Sequence, residues 1–289
     1  MTPLIRWLAR WPLGLLHALG ALLGWLTYAL SPSYRRRLDD NAALAGLTPG
    51  ERRRAVAEAG RMVAEVPWIW LRPPGRPVGR HVEWDGEALI EQALGQGHGL
   101  LILTPHLGCF EMCAQAYAER YGARQPVTAL YRPARKAWLR ELEATARSRP
   151  GMHTAPATLS GVRQMLRALK AGEAVGLLPD QVPPLGLGVW APFYGKPAYT
   201  MTLASRLVQQ SGAAMLMMWG ERLPRGRGWR LHVRPAPALP AGAENEQALQ
   251  LACALSVNQA MERLIAERPE QYLWGYHRYK APRKELASS

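Results

Sequence analysis

Residues 100–111 read LLILTPHLGCFE, and the first four leave a fold little freedom. Successive side chains of a strand point to opposite faces, so four large aliphatic residues in a row demand cover on both sides. A turn bracketed by Pro105 and Gly108 follows, and a helix-competent stretch begins at Phe110. A buried strand that feeds a helix is the building unit of α/β folds.

The rest of the chain repeats this pattern. Strands are expected at 78–84, 127–131, 174–178 and 213–219, with 230–234 as an antiparallel or edge strand. Helices are expected at 86–96, 110–121, 137–147, 160–171, 200–210 and 246–267. Residues 34–71 read as helical with a break at 47–50, where Thr48 precedes Pro49 as a cap and a first-turn proline. Residues 182–197 hold one charge, Lys196, and read as a greasy lid, an extra membrane contact or a covered loop. The expected architecture is α/β: a single domain over 34–289, with a mixed, mostly parallel central sheet flanked by helices and a helical section at 34–72.

Ahead of it, residues 1–33 read as a membrane anchor or interfacial helix. Residues 11–30, WPLGLLHALGALLGWLTYAL, contain no Asp, Glu, Lys or Arg. As a helix they reach roughly 30 Å, the thickness of a hydrocarbon core. Arg6 and Arg10 precede the segment and Arg35, Arg36 and Arg37 follow it, so the positive-inside rule sets no orientation. A signal peptide fits poorly, because the apolar region is long and no clear small-x-small cleavage site precedes the arginines, Ser31–Pro32–Ser33 being a poor substitute. A buried core helix is the competing reading, with Gly14, Gly20 and Gly24 serving close packing.

The formal charge is +14, and 31 of the 36 basic residues are arginine. Such a field suits anionic partners: nucleic acid, acidic lipid, phosphorylated small molecules or an acidic carrier protein. No zinc finger, helix-turn-helix or aromatic RNA-binding motif is present, and the charge is dispersed, which disfavours nucleic acid. The odd cysteine count (Cys109, Cys113, Cys253) implies no disulfide framework, and no cluster has metal-site spacing.

His106 and Glu111 are the chemical centre of this reading. Five residues apart, they would sit about 140° from one another on a regular helix. They converge if His106 lies just before the helix and Glu111 in its first turn. Glu111 then fixes the tautomer of His106, whose free nitrogen acts as general base on a substrate hydroxyl. Gly108 permits a tight turn and exposes helix N-terminal amides to an oxyanion. Competing readings are a capping histidine with a surface glutamate, a nucleophilic Cys109, and His277 as the base.

TPHLGCFE resembles the His-x4-Asp/Glu motif of the glycerolipid acyltransferase superfamily, and the chain as a whole resembles the late acyltransferases of lipid A biosynthesis. Tyr131, Arg132 and Pro133 match that family's YRP block, and Leu178, Pro179, Asp180 and Gln181 its LPDQ block. Pro192, Phe193, Tyr194 and Gly195 with Pro197, Ala198 and Thr200 match a further block, and Tyr272, Leu273 and Trp274 with His277, Arg278, Tyr279 and Lys280 the closing one. The resemblance implies that His106 and Glu111 are the catalytic dyad. It implies transfer of a fatty acyl chain from acyl carrier protein to a hydroxyl of a phosphorylated, already acylated glucosamine disaccharide. The setting would be the cytoplasmic face of the inner membrane, with no cofactor, metal or nucleic acid involved. Arg132, Arg149, Arg163, Asp180 and Gln181 are then substrate-binding candidates, and Phe110, Phe193 and Tyr194 line an acyl pocket. A coenzyme A donor, another membrane glycolipid or phospholipid acceptor, or a non-catalytic basic protein that binds membrane or nucleic acid are the alternatives.

Overall fold

The computed structural model describes residues 7–73, 76–131 and 149–283. Arg132 and the helix expected at 137–147 lie outside the described residues.

Ahead of the sheet, the described residues include the helices α1 (Leu13–Leu30), α2 (Pro32–Leu44) and α3 (Pro49–Trp70). Thr48 caps α3 with a reciprocal capping box: its hydroxyl accepts from the Glu51 amide while the Glu51 carboxylate accepts from the Thr48 amide. The α/β section follows as β1 (Val82–Asp85), α4 (Glu87–Gly95), β2 (Leu100–Leu103), α5 (Phe110–Tyr121), β3 (Val127–Tyr131), β4 (Met152–Pro156), α6 (Leu159–Lys170) and β5 (Ala174–Leu177). Then come β6 (Gly188–Phe193), β7 (Lys196–Met201), α7 (Leu203–Ser211), β8 (Ala214–Arg222), β9 (Trp229–Pro235) and α8 (Glu246–Ala266).

Seven strands form one sheet in the order β1-β9-β8-β2-β5-β3-β4. Every neighbouring pair is parallel except β8 and β9. Residues 230–234 are therefore antiparallel to β8 as expected, but β1 covers the other side and takes the edge. β2 lies between β8 and β5 and is buried at every position. Leu100 and Ile102 join one core with Met112 and Tyr117 of α5 and with Trp68 and Ile69 of α3. Leu101 and Leu103 join a second core with Met165 and Leu169 of α6 and Val257 and Met261 of α8. The alternation of one apolar run thus supplies both layers.

Two elements depart from expectation. β4 was not foreseen; it pairs in parallel with β3 at the sheet edge. Residues 182–197 are not one long loop, because 188–201 fold as the antiparallel hairpin β6–β7, packed against α8. Tyr194 and Gly195 form its two-residue turn, both with positive φ (48° and 73°), the conformation that matches strand twist in tight hairpins.

Candidate active site

β2 and β5 are adjacent and parallel, with Leu103 opposite Leu177. His106 lies three residues beyond the first strand and Asp180 three beyond the second. Their side chains meet at the carboxyl end of the sheet, the usual ligand position in open α/β folds. Nδ1 of His106 is 2.9 Å from Oδ1 of Asp180. The His106 backbone amide donates to Oδ2 at 2.9 Å, and the Tyr272 hydroxyl donates to the same oxygen at 3.1 Å.

Asp180 is fully buried. Burial alone would push its carboxyl up, but the charge of His106 and bonds from its ring and amide, with Arg278 beyond, hold it below the ordinary value. An ionised carboxylate only accepts hydrogen bonds, so Nδ1 carries a proton, and in the neutral ring the lone pair is then on Nε2. The ring stacks on Tyr276 (5.5 Å, 17°) and meets Phe110 edge-on at 4.9 Å.

The loop that presents His106 has little latitude. Gly108 has φ +57°, and a Cβ there would fall 1.9 Å from the Gly220 carbonyl oxygen, so only glycine fits. The Gly108 amide donates to the Gln271 carbonyl and the Cys109 amide to the Gly220 carbonyl. Gly108 therefore makes the turn, but neither of these two amides is left for an oxyanion.

The orienting bond expected from Glu111 is made by Asp180 instead. Glu111 is in the first turn of α5, and its carboxylate accepts from Trp70 Nε1 at 3.1 Å. It lines an apolar cleft between α5 and the sheet, whose walls include Thr104, Phe110, Tyr117, Met152 and Met218. Gly176 of β5 faces this cleft, and a Cβ there would meet nothing within 4 Å.

Beside Glu111 lies a second polar feature. Arg149 donates from Nη2 to the backbone oxygens of Arg72 (2.6 Å) and Trp70 (3.4 Å). Arg72 donates to Oε1 of Gln115, one helical turn past Glu111, at 3.3 Å. Nε and Nη1 of Arg72 and Nε of Arg149 are buried without a hydrogen-bond partner, and neither guanidinium has a carboxylate partner among the described residues. Burial first, and then the Arg149 charge, bring Arg72 down to about 10. Two desolvated like charges of this kind call for an anion.

A family model described as bacterial lipid A biosynthesis acyltransferase matches residues 4–281. The chain belongs to this family. It is 26% identical to the lipid A biosynthesis lauroyltransferase of Escherichia coli K12 over 96% of this chain and 89% of that protein. It is 28% identical to the lipid A biosynthesis palmitoleoyltransferase of the same strain, over 80% of this chain and 72% of the relative.

In this lipid A acyltransferase family member, the other expected site residues have different surroundings. Phe193 is buried in the second core against Tyr272 and Tyr279, away from the cleft walls, because the hairpin turn folds it inward. Tyr194 packs on Trp274, and its amide donates to Glu262. Neither lines the cleft, whereas Phe110 does. Gln181 is exposed next to Asp180, and Arg163 is exposed on α6, with no bond to His106 or Asp180 among the described residues. Arg278 is a buried strut bonded to Tyr199 O, Thr200 and Asn258.

The competing bases and nucleophile find little support in the geometry. His277 is exposed. Burial, and then the Glu65 charge, push the Cys109 thiol well up, away from a reactive thiolate. Trp70 and Arg72 were not anticipated as site residues, and Tyr272 was singled out only as part of the closing block, with no site role. For Trp70 and Arg72 the available signal was a tryptophan and an arginine closing a helix just ahead of Pro73.

Proposed function

We propose that this acyltransferase moves a fatty acyl chain from acyl carrier protein to a hydroxyl of a phosphorylated lipid A precursor at the cytoplasmic face of the inner membrane. His106 Nε2 takes the hydroxyl proton as the oxygen attacks the thioester carbonyl. Asp180 holds the tautomer and balances the imidazolium that forms. A C–O bond forms, the C–S bond breaks, and the proton passes to the departing thiolate. Glu111, steadied by Trp70, bonds the incoming hydroxyl. The positive end of α5 and Arg149 provide the field for the oxyanion. The cleft under α5 takes the acyl chain, and Arg72 with Arg149 takes an acceptor phosphate. The surplus of arginine suits an acidic carrier protein.

The observation that carries this reading is the buried His106–Asp180 pair at the ends of neighbouring strands, beside an apolar cleft that also holds Glu111. His106→Ala, checked to be folded, should lose acyl transfer by about 10²–10⁴-fold, the usual worth of a general base. Near-normal turnover would remove the reading. Parallel assays with carrier-protein and coenzyme A thioesters identify the donor, and mass spectrometry of the lipid product locates the ester.

A further inference from the structure

Helix α1 is apolar all round, and its two faces are treated in opposite ways. One face is locked onto the body of the protein along nearly its whole length. A Cβ at Gly14 would sit 3.3 Å from the Arg225 carbonyl oxygen, in the loop between β8 and β9. Nε2 of His17 lies 3.2 Å from the buried Glu65 carboxylate. A Cβ at Gly20 would fall 2.7 Å from Ala64 Cβ, and one at Gly24 would fall 2.4 Å from the Val56 carbonyl oxygen. The Tyr28 hydroxyl donates to Asp39 of α2. Rising numbers on α1 meet falling numbers on α3, so the two helices run antiparallel with their backbones in contact. The opposite face is bare: Leu15, Leu22, Leu26 and Leu30 are 56%, 65%, 49% and 73% exposed.

A helix of this length has the reach to cross a bilayer. Crossing would carry α3 into the hydrocarbon beside it. Within the stretch facing α1, that helix holds Glu58 and Glu65, both paired with Arg222 of the sheet, and Arg61, paired with Glu58. The cluster around Arg222 is enclosed, but the Arg61 side chain is 34% exposed and Arg52, Arg53 and Arg54 of the same helix are exposed, and charge facing hydrocarbon is excluded. Lying flat avoids this. The leucine face enters the acyl layer while α3 stays on the water side. Exposed Trp7 suits the headgroup level, and exposed Arg10 at one end and Arg35, Arg36, Arg53 and Arg54 at the other complement anionic lipid.

We infer that α1 is a monotopic dock: it lies in one leaflet of an anionic bilayer with both ends on the same side, and does not span. This inference is independent of the transfer chemistry. The three native cysteines are buried, which gives a quiet background for thiol labelling in the full chain. Single cysteines at Arg10 (Arg10→Cys) and Ser33 (Ser33→Cys) should react with an impermeant maleimide from the same side of sealed membrane vesicles. Labelling from opposite sides would overturn the inference. The double variant Leu22→Glu, Leu26→Glu, with an unchanged melting curve, should lose flotation with phosphatidylethanolamine–phosphatidylglycerol vesicles by at least about tenfold. Unchanged flotation would also overturn it, as would a shift from dimer to monomer in that variant with flotation intact, since a second copy would then be what covers the face.

Discussion

Among the buried histidine–carboxylate pairs of the described residues, His106–Asp180 and His17–Glu65 make the sharpest comparison, and only the first is placed to do chemistry. At the strand ends, Asp180 takes bonds from the ring and amide of His106 and from Tyr272, and Nε2 has no hydrogen-bond partner among the described residues. Under α1, Glu65 takes bonds from His17, from Nε and Nη2 of Arg222 and from Trp229 Nε1, and Glu58 also pairs with Arg222. The second cluster is compensated and enclosed, joining α1, α3 and β8. A buried imidazole beside an acid therefore says little by itself. What matters is whether the far nitrogen opens toward space that a substrate can enter.

Changes at each pair test this division. Asp180→Asn should have the largest effect on turnover. The amide must set its NH₂ against either the ring or the His106 amide, so the tautomer is lost, and activity should fall by about 10³–10⁴-fold at modest cost in stability. A drop of only a few-fold, measured on folded protein, would move the orienting role back to Glu111. Glu65→Gln should do the reverse. Breaking a buried charge pair costs about 3–5 kcal/mol, seen as an early denaturant midpoint, with residual folded enzyme still competent.

Acid should also separate them. Burial opposes ionisation of Glu65, but Arg222 and then His17 hold it down at about 2, below the ordinary 4.5. A depressed folded value means that this stabilisation is complete above about 4.5 and fades as pH falls toward about 2. Glu65→Gln should therefore flatten the loss of stability over that window. The smallest effect concerns the cleft. Gly176→Leu fills open space on its wall and should shift preference toward shorter chains, by about 1–3 kcal/mol per displaced methylene in competition assays. An unaltered chain profile would place the acyl group elsewhere.

Local patterns were legible in the chain, and distant pairings were not. The strand 127–131 and the helix 110–121 appear at the expected bounds, because periodicity and turn residues act over short range. Residues 152–156, MHTAP, hold a proline and no run of β-branched side chains, so only the pairing with β3 reveals them as a strand. Pro192 and Pro197 sit opposite one another in β6–β7, and proline is rare inside strands, so no strand pattern shows there in the sequence. His106 could be read as a base from its turn. Its partner could not be read from spacing, because Asp180 is 74 residues away and close only since β5 is the neighbour of β2. Glu111 was the nearer acid along the chain, and it bonds Trp70. The Arg72–Arg149 feature depends on where α3 ends relative to α5, which no local pattern reports.

The offset of three residues past each of two paired strands has a further result. The distance between base and acid is set by the ladder that joins β2 to β5, not by the surrounding loops. Such central ladders open last in hydrogen exchange, so the alignment of the pair should outlast motion at the rim. Substrate-facing segments can then lengthen, shorten or change composition, and so alter which lipid is accepted, while the proton-transfer geometry stays in register.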